Sequence, residues 1–78
     1  MAFQRYQNLS GQSNVAAFEI GPGSITVEFR SGKHRFYVYN SLRPGVAAVE
    51  ELKRRALAGY GLNSYISSTI KTAFADKY

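Results

Sequence analysis

The chain has no cysteine and no tryptophan, and among its 78 residues there are one histidine, one methionine and two prolines. Without cysteine there is neither a disulfide framework nor a thiolate zinc site, so a domain this small must be held by apolar packing alone. A hydrophobic content of 45%, with 14% aromatics, is enough for such a core and argues against disorder. No apolar run approaches a bilayer-spanning length, and the N-terminus lacks the basic-then-apolar layout of a signal peptide. The expectation is a cytoplasmic protein with no membrane association. His34 has no clustered partners with which to hold a metal, and Glu50 and Glu51, being adjacent, point to different sides of a helix. No serine triad, cysteine nucleophile or lysine-bearing phosphate loop is present either. Neither enzymatic activity nor a cofactor is expected.

Acidic residues are also missing from one particular stretch. Between Phe29 and Val49 stand Arg30, Lys33, Arg35 and Arg43 with no aspartate or glutamate, whereas the rest of the chain is close to balance. A local excess of this kind says more about partners than the net charge of +5, because binding depends on where the field is.

Residues 1–14 are polar and turn-prone and read as a leader, pinned by Phe3, Tyr6 or Leu9, ahead of a single domain over 15–78. Val15 to Ile20 begins a β pattern, Gly21-Pro22-Gly23-Ser24 is a strong turn, and Ile25 to Arg30 alternates as a half-buried strand does. A two-residue loop at Ser31-Gly32 then leads into a third strand, His34 to Tyr39. With these turns, Ile20 pairs with Ile25, Phe18 with Val27, Ala16 with Phe29, Phe29 with His34, Val27 with Phe36 and Ile25 with Val38. That register sends Phe36 and Val38 to the buried face. Arg30, Lys33, Arg35, Tyr37 and Tyr39 then share the opposite face with Glu19, Thr26 and Glu28.

After Arg43-Pro44-Gly45 the period becomes helical, with Val46, Val49, Leu52, Ala56 and Leu57 recurring and Glu50–Arg54 and Glu51–Arg55 as favourable pairs. Gly59 is a natural stop, and a second helix follows from Leu62 or Asn63, presenting Leu62, Ile66, Ile70, Ala73 and Phe74 on one face. The expected fold is α+β: a three-stranded antiparallel meander followed by two helices packed on one sheet face, β-β-β-α-α.

This arrangement resembles the KTSC domain family, small domains found at the C-terminus of some lysyl-tRNA synthetases and as stand-alone bacterial proteins. The likeness runs from Asn14 to about Ile70. It comprises the apolar strand ending in a turn, Ile25-Thr-Val-Glu-Phe-Arg-Ser-Gly32, the aromatic-x-aromatic motif at Tyr37-Val38-Tyr39, and a late pattern at Gly59, Leu62, Asn63 and Ile66. The resemblance implies RNA binding, proposed for the family from its attachment to a tRNA synthetase.

Three surfaces follow as candidates. On the sheet face, Arg30, Lys33, Arg35, Tyr37 and Tyr39 combine cations with aromatic rings, the two ingredients of a platform for RNA or other single-stranded nucleic acid. The alternative there is a structural strand, tyrosine being a good strand former and Glu28 offsetting part of the charge. Gly61, Asn63 and Ser64 at the start of the second helix offer backbone N–H groups to an anion, although simple capping explains them better. Ser64, Ser68 and Thr72, spaced by four, form an uncharged stripe suited to a protein partner or self-association, as does a sheet edge, and packing against the first helix explains the stripe nearly as well.

Overall fold

The computed structural model describes residues 3–9, 11 and 14–78. Five antiparallel strands lie in the order β1-β2-β3-β4-β5: β1 (Gln4–Arg5), β2 (Val15–Gly21), β3 (Ser24–Phe29), β4 (Phe36–Asn40) and β5 (Asp76–Lys77). Between β4 and β5 come α1 (Val46–Ala58), α2 (Leu62–Tyr65) and a π-helical turn (Ile66–Ile70) that continues α2. The expected meander is therefore the centre of a wider sheet, extended at each edge by a strand of two residues. No helix among the described residues is long and apolar enough to cross a membrane.

The first hairpin follows its sequence. Gly23 has a positive φ of 67°, which glycine adopts without strain after the proline, and Ile20 pairs with Ile25 and Phe18 with Val27 as alternation requires. At the far end a bulge at Ala16 lets Val15, not Ala16, face Phe29. The result places Val15, Phe18, Ile25 and Val27 on one buried face.

The second hairpin departs from expectation by one residue, and everything about the site depends on it. The turn is not Ser31-Gly32 alone; a loop of residues 30–35 separates the strands, closed by the Phe29 N–H donating to the Arg35 carbonyl at 2.7 Å. Val27 pairs with Tyr37 and Ile25 with Tyr39, while Glu28 faces Phe36 and Thr26 faces Val38. A one-residue slip exchanges the faces of a strand. Tyr39, expected outside, is 1% exposed in the core, and Tyr37 packs partly buried against it. Both parities of Phe36-Tyr37-Val38-Tyr39 are apolar, so core volume decides, and the two large tyrosine rings bury more surface than Phe36 and Val38. Phe36 stays on the outer face between Phe3, edge-on at 5.8 Å, and Tyr78, stacked at 5.2 Å.

The stretch read as a leader also joins the domain. Its residues 1, 2, 10, 12 and 13 lie outside the described residues, but Gln4–Arg5 pairs with β2, and Tyr6 is 3% exposed in the core. Leu9 remains exposed on the surface, although its N–H donates to the Gly59 carbonyl at 2.8 Å.

α1 packs on β3, β4 and α2 through Val49, Leu52 and Ala56, while Val46 and Leu57, expected on the same face, are exposed. On the solvent side Glu51 accepts hydrogen bonds from both Arg54 and Arg55, and Glu50 pairs with Lys53 at 3.5 Å rather than with Arg54. The Arg54 and Arg55 hydrogen bonds hold the Glu51 carboxyl well below the usual carboxylate range, at about 2. A carboxylate lowered in the fold stabilises it above the unfolded pKa of about 4.3, and that contribution is lost as pH falls through the folded value. Glu51→Gln is therefore expected to melt below the parent at neutral pH, with the gap closing as pH falls from about 4.3 to about 2. Thermal melts across that window check it. The pair is solvent-facing, so added salt shrinks the gap.

α2 begins without side-chain capping. The Leu62 N–H donates instead to the Tyr6 hydroxyl at 3.3 Å, and the Gly61 carbonyl accepts from Arg55 at 3.1 Å. Within the Gly61, Asn63 and Ser64 group the protein's own groups engage the Gly61 carbonyl and the neighbouring Leu62 N–H. The uncharged stripe is interrupted too. Ser68 donates to the Ser64 carbonyl at 2.7 Å within the helix, and Thr72 lies beyond it. Ala73 and Phe74, expected on the helix, likewise follow its end.

Candidate nucleic-acid interface

The helices do not cover the whole inner face of the sheet. Beside the end of α2 a groove of about 500 Å³ remains open, floored by Phe29, Tyr37, Tyr39 and Ile66. One rim is the β3–β4 loop, where Ser31, Gly32, Lys33 and His34 line the opening. Asn14 holds that loop in place: its side-chain oxygen accepts from the Ser31 hydroxyl at 3.2 Å and its carbonyl from the Arg30 N–H at 2.8 Å. The other rim is the segment that leaves the π-helical turn, with Lys71, Thr72, Phe74 and Lys77 facing inward.

Local geometry explains how that second rim arises. The π-helical turn closes with the Lys71 N–H donating to the Ile66 carbonyl at 2.6 Å, and Lys71 itself takes φ 54° and ψ −111°, outside the basins open to L-residues. Such strain costs about 1–3 kcal/mol, and like π-helical turns it gathers at functional sites. Two tight turns follow, Ala73 N–H to the Ile70 carbonyl and Phe74 N–H to the Thr72 carbonyl, and Arg43 donates to the Thr72 carbonyl at 3.4 Å. The chain then runs back along β4 as β5, placing Lys77 opposite Tyr37.

The floor is an aromatic row. Tyr37 stands edge-on to Phe29 at 5.2 Å and to Phe74 at 5.1 Å, and the Lys77 ammonium lies 5.3 Å from the centre of the Phe74 ring. Three lysines and one histidine line the groove, and no aspartate or glutamate does. Among the described residues Lys33, Lys71 and Lys77 enter no ion pair; the ion pairs present bind Lys53, Arg54 and Arg55 to Glu50 and Glu51 on α1. No acidic side chain lines the groove to offset these cations.

Tyr39 is buried except for its tip. No described residue hydrogen-bonds its hydroxyl, and no fully buried side-chain oxygen or nitrogen lacks a partner, so the small exposure left to Tyr39 is at that hydroxyl, in the groove floor. Burial, and secondarily the neighbouring Tyr37, raises its pKa above the ordinary tyrosine value, and the neutral hydroxyl can both donate and accept.

Of the five residues the sequence grouped as a platform, the fold brings Lys33, Tyr37 and Tyr39 into this groove. Arg30 and Arg35 are exposed on the same loop but do not line it. Sequence reasoning missed Lys71, Phe74 and Lys77, which reach the site through the two-residue pairing of β5 with β4. Phe74-Ala75-Asp76-Lys77 runs apolar, apolar, polar, polar, with no alternation to announce a strand. Comparison with family models, with curated proteins and with solved structures finds no match to this chain.

Proposed function

We propose that the chain is a non-catalytic module that binds single-stranded RNA in the groove between the β3–β4 loop and the segment leading to β5. One observation carries this reading: Lys33, Lys71 and Lys77 surround an aromatic row of Phe29, Tyr37 and Phe74, with no acid among the lining residues. Unpaired cations neutralise phosphates and aromatic rings take bases, the combination that single-strand binders use. The resemblance to the KTSC domain, through its attachment to a tRNA synthetase, leans the same way. The reading keeps the ligand class and the tyrosine–cation chemistry expected from the sequence, and moves them from the open sheet face to a groove on its inner side.

The test is fluorescence anisotropy with a labelled single-stranded RNA over a series of salt concentrations. Three lysine–phosphate contacts predict a log–log salt slope of about −2, and Lys71→Ala or Lys77→Ala is expected to bring it toward zero by about 0.7 each. No binding at low salt, or a slope that neither substitution alters, overturns the proposal.

A further inference from the structure

The groove has charged and polar side chains at its rim and aromatic rings at its floor, and its size suits one small ligand or one nucleotide of a strand. Cations stand only at the rim, on Lys33, Lys71 and Lys77, while the aromatic row lies beneath them. The floor carries two hydroxyls, those of Tyr37 and Tyr39, neither with a hydrogen-bond partner among the described residues, and Tyr39 is the more deeply buried of the two. A polar group kept at the floor of an otherwise apolar pocket orients a ligand that brings a matching donor or acceptor.

Building on the reading of the groove as the nucleic-acid site, we propose that it takes a single nucleotide base-first, the Tyr39 hydroxyl hydrogen-bonding an edge of the base and Lys33, Lys71 and Lys77 holding the phosphate. A ring with polar edges and an anionic tail matches this layout at both ends. Inorganic phosphate satisfies only the rim, and a bare base only the floor. A free nucleotide and the phosphorylated end of a strand present the same chemistry to it.

Amide and aromatic NMR shifts during titration with the four nucleoside 5′-monophosphates test this, with inorganic phosphate and a short RNA, with and without a 5′-phosphate, as companion ligands. The expected result is shifts at Tyr37, Tyr39 and Phe74 with a nucleotide and weaker binding of inorganic phosphate. Tyr39→Phe keeps the ring and removes only a hydroxyl with no protein partner, so its melting temperature should equal the parent's. Its nucleotide affinity should fall about fivefold, one hydrogen bond's worth, with less discrimination among bases. Tighter binding of the 5′-phosphorylated RNA than of any mononucleotide identifies a strand end as the ligand; equal binding identifies the free nucleotide. Phosphate binding as tightly as every nucleotide overturns the inference. So does RNA binding that no mononucleotide reproduces and that Tyr39→Phe leaves unchanged, an outcome under which the RNA reading itself survives. Silence from all these ligands defeats both.

Discussion

Replacing Gly59 with alanine should destabilise the fold by about 2–5 kcal/mol. Gly59 ends α1 at φ 74°, in the left-handed region, where any residue with a Cβ is strained by about 1–2 kcal/mol. It is also buried against the N-terminal segment: an added Cβ would stand 2.6 Å from the Gln7 Cβ, a carbon too close to its own backbone to swing away. Displacing that segment strains the Leu9 N–H bond to the Gly59 carbonyl and the Tyr6 hydroxyl that caps α2. Overpacking of this sort adds about 1–3 kcal/mol. Gly23→Ala provides the comparison, because Gly23 has nearly the same φ, 67°, with nothing within 4 Å of its would-be Cβ. Urea denaturation of both variants should show the smaller loss at Gly23, and Gln7→Gly should recover part of the loss at Gly59. Equal losses at the two glycines would mean that the contact with Gln7 carries no energy.

Leu52→Ala is expected to cost about 2–5 kcal/mol. Leu52 is fully buried where α1 meets the sheet, in one cluster with Ile25, Val27, Tyr39 and Leu62. A domain of 78 residues has a total stability of only about 4–12 kcal/mol, so this one truncation removes a large share of it. The denaturation midpoint should drop while the slope stays constant, since the surface exposed on unfolding hardly changes. Exposed Leu57→Ala, one turn on, should stay within about 0.5 kcal/mol of the parent. A small loss at Leu52 would mean that α1 does not supply the lid of the core.

Legibility in the sequence tracked the strength of local signals. The turn at Pro22-Gly23, the strict alternation of Ile25 to Phe29, the extent of α1 and its stop at Gly59 could all be read, because each rests on conformational preferences confined to a few neighbouring residues. β1 and β5 could not, since two residues contain no period. The register of β4 failed for a different reason. With apolar side chains on both parities of Phe36 to Tyr39, only the three-dimensional volume beneath the sheet distinguishes the faces. The candidate site inherits both limits. Its tyrosines were identified with the wrong orientation, and its second rim depends on a π-helical turn and a short strand that no local pattern announces.

The pairing of β5 with β4 has a kinetic side. Each of the other strand pairs joins sequence neighbours, whereas Val38 meets Asp76 only after the whole helical region has been laid down. Pairings across such a separation bear the largest loop-closure entropy and form late. The wall carrying Lys71 and Lys77 is therefore expected among the last parts of the molecule to assemble, and once formed it is held by the backbone hydrogen bonds of Ala75 and Tyr78 to Arg35, Phe36 and Val38.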